Sequence, residues 1–374
     1  MTIREPGRRS FRSGALLLTA ALSPAAVLAP AAAQAQPEAT AVVTLYATGL
    51  NNPRGLKFGP DGDLYVAEGG IGGTTPPPDD PDCVVVPPVG PYAGSTDGAR
   101  ISKIDAFGNR TTVVDGLPSS QTSPDLGSFV SGVADVAFID DTLYAILAGA
   151  GCSHGVPEVP NSVIRVNDDG SWDVVADLGA YQRAHPVETI EEDDFEPDGT
   201  WYSMLAVRGN LYAVEPNHGE IVKITPDGKV SRVVDISASE GHVVPTALAY
   251  HGNFYVANLG EFPQDEGSSR VWRVTPSGEI HRKATGFNMV LGLVFDQRNR
   301  MYVLETSAAP APTGGTGRIL RVNPSGKSPD VIADNLFFPT GMTIGPDGNL
   351  YVSHVGFGPP PIGLGQILKI EVTD

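Results

Sequence analysis

One pattern recurs six times along this chain: a short apolar step built around Tyr, then a second apolar step that carries a single basic residue. The Tyr steps are Leu64-Tyr65-Val66, Leu143-Tyr144-Ala145, Leu211-Tyr212-Ala213, Phe254-Tyr255-Val256, Met301-Tyr302-Val303 and Leu350-Tyr351-Val352, and the basic residues that follow are Lys103, Arg165, Lys223, Arg273, Arg321 and Lys369. Successive Tyr positions lie 79, 68, 43, 47 and 49 residues apart. The later copies keep the roughly 40–50-residue period of a four-stranded blade, and the first two carry insertions. Each copy opens on another apolar stretch, such as Gly55-Leu56-Lys57-Phe58 or Gly341-Met342-Thr343-Ile344, and enters its Tyr step through a tight turn, clearest in Gly59-Pro60-Asp61-Gly62 and Gly345-Pro346-Asp347-Gly348. Pro presets one turn residue there, and Gly accepts positive φ. A second such turn follows the basic step, as in Thr225-Pro226-Asp227-Gly228, and a Val-rich strand ends the copy, as in Arg232-Val233-Val234. Four antiparallel strands in each of six copies predict an all-β fold, a six-bladed β-propeller. The sixth copy stops after its third strand, while Ala41 to Tyr46 reads as a strand ahead of the first copy. Docking that N-terminal strand on the last blade would close the ring and pair an open edge.

The repeat runs almost end to end, so residues 36–374 are expected to form one propeller domain. Residues 1–35 differ in kind: Arg4, Arg8, Arg9 and Arg12 precede an Ala/Leu-rich run from Gly14 to Ala33, and Ala33-Gln34-Ala35 has the small-x-small pattern of a signal-peptidase site. The expectation is a signal peptide and a secreted or periplasmic protein, exported by the ordinary secretory route or by the twin-arginine route that Arg8-Arg9-Ser10-Phe11 resembles. Pro24 and Pro30 break the run and no later stretch nears the ~18 apolar residues a span needs, so no stable membrane span is expected. The formal net charge of −18 repels phosphate backbones, which argues against nucleic acid and favours cations or cationic ligands; it also serves simply to keep an exported chain soluble. The two cysteines, Cys83 and Cys152, follow the Tyr steps of adjacent copies, and an oxidising compartment would join them in a disulfide. A monomer is expected.

Loop length separates the two faces of such a ring. The first-to-second and third-to-fourth hairpins are short Pro/Asp/Gly turns, whereas the connections on the opposite rim, such as residues 69–99, 148–161 and 178–200, run long. Binding residues concentrate on long loops held by a rigid scaffold, so the long-loop rim is the expected functional face. At its mouth, directly after each Tyr strand, stand Glu68, Leu147, Glu215, Asn258, Glu305 and His354. If they converge on the central opening, the oxygens of Glu68, Glu215, Asn258 and Glu305 suit calcium or magnesium, with His218 or His354 as proton carriers or softer ligands. The same address equally suits a polar residue that caps a strand. The run Glu215-Pro216-Asn217-His218-Gly219-Glu220 is dense enough to offer a ligand pair or a base and its orienter, or merely a tight polar turn; Arg54 could meet an anionic group or a neighbouring carboxylate.

With strands and rim assigned, the chain resembles the ScyD/ScyE family of exported propeller proteins. The resemblance rests on Gly49-Leu50-Asn51-Asn52-Pro53-Arg54-Gly55-Leu56, Leu64-Tyr65-Val66-Ala67-Glu68-Gly69-Gly70, the Pro-rich insertion before Ile101, the run from Tyr212 through Glu215, Asn217 and His218 to Glu220, and Pro339-Thr340-Gly341-Met342. It implies an exported propeller without an established reaction. More distantly the repeats resemble NHL-type propellers and the gluconolactonase and streptogramin-lyase superfamily, whose members hold a divalent cation at the central opening. The first expectation is therefore a binding module that holds a small-molecule, glycan or protein ligand on the rim with Arg54, Glu68, Glu215, Asn217, His218, Asn258, Glu305 and His354. The second is a metal-dependent hydrolase or lyase, lactonase-like, with calcium or magnesium on Glu68, Glu215, Asn258 and Glu305 and with His218 or His354 moving the proton. The third is a protein-interaction platform using Phe262, Phe337, Phe338 and Phe357 on the long loops.

Overall fold

The computed structural model describes residues 40–190, 196–326, 328–356, 358 and 363–373. The expected leader, the acidic run 191–194 and Phe357 lie outside the described residues. Six antiparallel sheets follow one another along the chain. The first blade holds Pro53–Phe58, Leu64–Glu68, Ala93–Ile104 and Arg110–Gln121, with a short fifth strand, Val130–Ser131. The next four run from Val133–Ile139 to Trp172–Asp177, from Ser203–Val207 to Val230–Asp235, from Pro245–Tyr250 to Ile280–Phe287 and from Val290–Phe295 to Asp330–Leu336. The sixth takes Gly341–Ile344, Leu350–His354 and Gly365–Thr373 from the C-terminal end and Thr40–Leu50 from the N-terminal end. Val43 stands opposite Ile370 in that last pairing, so the ring closes as the sequence predicts.

The Tyr and basic repeats have one physical cause. In all six blades the Tyr of the second strand stands directly across from the basic residue of the third: Tyr65 and Lys103, Tyr144 and Arg165, Tyr212 and Lys223, Tyr255 and Arg273, Tyr302 and Arg321, Tyr351 and Lys369. Cross-strand neighbours of this kind cover one another's apolar stems while their polar ends stay wet. In the two Gly-Pro-Asp-Gly turns the Asp completes the set. Tyr65 donates to Asp61 at 2.9 Å with Lys103 beside it, and Tyr351 donates to Asp347 at 3.0 Å with Lys369 at 2.9 Å. Burial raises the Asp347 pKa, but Lys369 and the other donors outweigh it and hold the carboxyl down at about 2.

The apolar interior is divided into six wedges, one between each pair of neighbouring blades. Leu205, Val214 and Leu248 with Trp272 fill the wedge between the third and fourth, and Leu50, Leu56, Tyr351 and Ile367 fill the one that joins the last blade to the first. Each sheet is thus apolar on both faces, which is why its strands read as near-continuous apolar runs.

Two loops differ from the sequence expectation. The first-blade insertion is partly ordered: a 3-10 turn at Pro81–Cys83 precedes the long strand that starts at Ala93. After the second blade the chain forms the helix Leu178–Ala184, capped by Asp177, whose side chain accepts from the Ala180 amide at 2.8 Å. Cys83 and Cys152 are bonded, tying the insertions of the first two blades across 69 residues of sequence. Closing a loop of that length is worth ~4 kcal/mol in the chain-entropy account. Cys83→Ser with Cys152→Ser is therefore expected to lower the thermal midpoint measurably, and added reductant should do the same to the wild type but not to the double variant.

Candidate functional site

The residues that follow the Tyr strands occupy one structural address, and there they act as clasps. Each takes a hydrogen bond from, or gives one to, the segment that leads into the first strand of its own blade. Glu68 accepts from the Asn51 amide at 2.5 Å, Glu215 from Thr200 at 2.7 Å and Glu305 from Asn288 at 2.9 Å. Asn258 donates to the Val243 carbonyl at 2.9 Å, and His354 Nε2 accepts from the Phe337 amide at 2.8 Å. In the second blade the position is Leu147, and the neighbouring Ala148 amide makes the equivalent bond to the Gly132 carbonyl at 2.8 Å. The remaining capacity of each side chain goes to the start of the third strand or the loop before it. Arg100 Nε reaches Glu68 at 2.8 Å and Arg318 Nε reaches Glu305 at 2.5 Å, while the Arg270 amide donates to Asn258 at 2.7 Å and Gln366 meets His354 Nδ1 at 3.1 Å. Glu68, Glu215 and Glu305 are fully buried.

These surroundings bear on the expected cation. An ion needs several oxygens pointed at one gap, whereas here each carboxylate is enclosed by N–H donors in its own blade. Among the described residues no group of three or more His, Cys, Asp or Glu side chains lies close enough to share an ion. Glu68, Glu215, Asn258 and Glu305 thus do not fit as a common calcium or magnesium set. Burial raises the Glu305 pKa despite Arg318, which is the behaviour of an enclosed structural carboxyl.

Glu215 and His218 do meet. His218 Nδ1 lies 2.9 Å from Glu215 Oε2 and 3.0 Å from Gln182 Nε2, and the His218 amide also bonds to Glu215. Burial lowers the His218 pKa and raises that of Glu215, but the opposite charges outweigh it on both sides, so imidazole is shifted up and carboxyl down. Asn217 joins through its side-chain oxygen, which accepts from the Glu196 amide at 2.7 Å. Glu196 leads to a second buried histidine that the sequence did not mark. His154 packs against Tyr92 with ring centroids 4.4 Å apart and the planes tilted by 48°, its Nε2 is 3.8 Å from Glu196 Oε2, and Tyr92 donates to Glu196 at 3.1 Å. Beside it Asp198 accepts from Ser153 Oγ at 2.7 Å and from Arg183 at 2.9 Å. This network cements the second and third blades. His154, Glu196, Asp198, Glu215 and His218 are all buried, so it offers no open face to a ligand.

The open space lies on the axis. A cavity of about 650 Å³ is lined by the first strands of all six blades, the second contributing Asp135 alone. At its rim end Tyr202 of the third blade donates to the Thr340 carbonyl of the opposite, sixth blade at 2.8 Å. Arg54, buried beside it, bonds to the Val130 carbonyl. These side chains bar the axis from the long loops. At the other end the lining runs to the tips of the first strands, through Lys57, Arg208, His251 and Phe295, so the mouth opens on the face of the short hairpins, opposite to the sequence expectation.

Asp135 sits deep in this cavity. Its oxygens accept from the Val136 and Met204 amides at 2.8 Å each and from Ser203 Oγ at 3.4 Å. On its other side stands Gly55, where an added Cβ would fall 1.9 Å from Asp135 Oδ1, so only Gly fits. Burial pushes the Asp135 pKa up to about 6 against the pull of Lys57 and its amide donors. Sequence reasoning missed Asp135, Lys57 and Tyr202. The available signal was a charge inside an otherwise apolar first strand, as in Ala134-Asp135-Val136 and Leu56-Lys57-Phe58.

Of the aromatic residues expected to make a docking platform, Phe262 and Phe337 are exposed, and Phe337 and Phe338 pack edge to face at 5.0 Å. No helix among the described residues is long and apolar enough to cross a membrane.

Fold and cavity together define a six-bladed β-propeller. Among solved structures the chain is similar to a protein described as an oxidoreductase (glucose dehydrogenase) from Thermus thermophilus, with a TM-score of 0.55 and 18% identity over 88% of this chain and 100% of that one. It is also similar to a gluconolactonase from Xanthomonas campestris (TM-score 0.53, 10% identity, 89% and 90% covered) and to a luciferin-regenerating enzyme (0.51, 12%, 88% and 95%). At such identities the likeness is one of fold. No family model and no curated protein matches the chain.

Proposed function

We propose that this chain is an exported propeller of the ScyD/ScyE type that works as a small-molecule-binding module, with its ligand seated in the axial cavity. The supporting observation is the cavity itself: about 650 Å³, barred at the rim by Tyr202 and Thr340, open at the hairpin face, and lined by polar and apolar surface in nearly equal share. Its walls are the inner edges of first strands, whose unpaired amides and carbonyls offer hydrogen bonds along the depth of the site. The Cys83–Cys152 bond agrees with a secreted or periplasmic home. Ser203→Phe, which fills the cavity beside Asp135, is the direct test. In a fragment screen by ligand-observed NMR, compounds that bind the wild type should lose binding to this variant while its circular dichroism and melting curve remain those of a folded propeller. Fragments that bind both proteins equally, or a wild type that binds none, would overturn the reading.

A metal-dependent hydrolase or lyase remains the second reading because the fold is shared with gluconolactonase. The clasp geometry of Glu68, Glu215 and Glu305 argues against it. Calcium or magnesium found at one ion per chain in purified protein, and lost in Glu215→Ala, would restore it.

A further inference from the structure

In a chain of net charge −18, the mouth of the axial cavity is basic. Lys57 comes to it from the first blade and Arg208 from the third, and the imidazole of His251 from the fourth stacks on Phe295 of the fifth at 4.9 Å. Several other cations of the blades are engaged, Lys103 with Asp61 and Asp63, Arg300 with Asp296, Arg321 with Asp330, and Lys369 with Asp347, whereas Lys223, Lys229, Arg273 and Lys283 lie outside the cavity lining. Lys57 and Arg208 make no ion pair and no side-chain hydrogen bond among the described residues. Of the carboxylates on this face, Asp61, Asp63, Asp296, Asp330 and Asp347 pair with those cations, and Asp105, Asp169 and Asp227 hydrogen-bond within their own turns and lie outside the cavity lining. Asp140 and Asp141 on the second-blade hairpin are exposed but lie outside the cavity lining. Asp135, deeper in, has its oxygens turned to the Val136 and Met204 amides and to Ser203.

Two cations at the lip of the cavity, neither in an ion pair although Lys57 also pulls on Asp135 below it, focus a positive potential on the entrance, against the sign of the whole protein. A carboxylate or phosphate held there is attracted by both and gains a charge-assisted hydrogen bond from whichever it reaches. Behind the lip, Leu293, Met342 and Leu248 supply apolar wall, while Ser203 and the strand edges supply partners for hydroxyl groups. We infer that the axial cavity takes a small organic anion that enters from the short-hairpin face, with its charged group between Lys57 and Arg208 and its body against the first strands. The inference rests on the cavity reading above and specifies its ligand class.

The test uses three probes that share one ring and differ in charge: 4-hydroxybenzoate, 4-hydroxybenzamide and 4-hydroxybenzylamine, titrated calorimetrically into the full mature chain. The anion is expected to bind once per chain, at least tenfold more tightly than the amide, with an affinity that falls as salt is added. The double variant Lys57→Gln, Arg208→Gln should remove that tenfold preference. If the amide or the amine binds as well as the benzoate, or the double variant binds benzoate normally, the anion inference is wrong. In that case loss of binding in Ser203→Phe would show that the cavity reading survives. If none of the three probes binds, the anion inference is likewise overturned, and the fragment screen decides the cavity reading separately.

Discussion

Glu68→Ala should lower the unfolding free energy by about 3–5 kcal/mol and the melting midpoint by roughly 4–7 °C, while EDTA leaves the wild-type melt where it was. The reasoning starts from what the carboxylate serves. Glu68 has no exposed side-chain surface and receives the Asn51 amide, the Ser102 hydroxyl and Arg100 Nε. Truncation leaves three donors facing a void, with the Arg100 side chain 19% exposed, and a buried donor without an acceptor costs more than the bond was worth. Arg100→Ala alone should cost less, because the Asn51 and Ser102 bonds survive it. The double variant should recover part of the loss, because the stranded cation goes with its partner. A Glu68 that served as a cation ligand would behave differently. EDTA would then destabilise the wild type by an amount close to the Glu68→Ala effect and would do nothing further to the variant. The melting curves of the two proteins with and without chelator separate these outcomes.

The clasps show where sequence reasoning succeeds and where it stops. Propeller, blade count and ring closure are legible because the Tyr and the basic residue must face each other across two strands, which stamps a fixed period on the chain. The position after the Tyr strand is legible too, as a polar address repeated at Glu68, Glu215, Asn258, Glu305 and His354. Its purpose is not, because its partners are mostly backbone amides, and nearly every residue type carries one. Asn51, Thr200 and Asn288 donate through the main chain, so no side-chain motif announces the bond. Arg100 and Arg318, across from Glu68 and Glu305 in the third strand, were the readable half of the clasp.

The axial cavity was hidden for a related reason. Its walls are strand edges, and an apolar first strand reads the same whether its edge faces protein or open space. What bars its rim end is a contact between Tyr202 and Thr340, residues far apart in sequence that meet only because the third and sixth blades stand opposite each other in a six-membered ring. The long loops drew attention to the rim, yet the side chains that could converge there are spent on holding the loops down. A rigid, well-clasped rim and a cavity entered from the plain face are two consequences of the same bonding.

Asp135→Asn and His154→Gln should tilt the acid stability of the protein in opposite directions, each by about 3 kcal/mol between pH 6.5 and 4. His154 is buried, and its pKa is pushed down to about 4 from the ordinary 6.5. At pH 7 the imidazole is neutral in both folded and unfolded chains and contributes nothing. As pH falls below 6.5 the unfolded chain takes up the proton that the folded one refuses, so stability is lost until the folded value near 4 is reached. Asp135 runs the other way, because burial raises its pKa from 3.8 to about 6. Between these values the folded chain holds a proton that the unfolded chain has released, so stability grows as pH falls through 6 and levels off near 4. In the wild type the two contributions nearly cancel across the window they share. Asp135→Asn removes the gain and exposes the histidine loss, and His154→Gln does the reverse. Urea unfolding at pH 6.5 and 4.5 measures both, and taking each variant's difference between the two pH values removes the packing cost of the substitution itself. Parallel slopes in wild type and both variants would mean that neither group is held in the environment described, and the deep end of the axial cavity would then be wetter than its geometry implies.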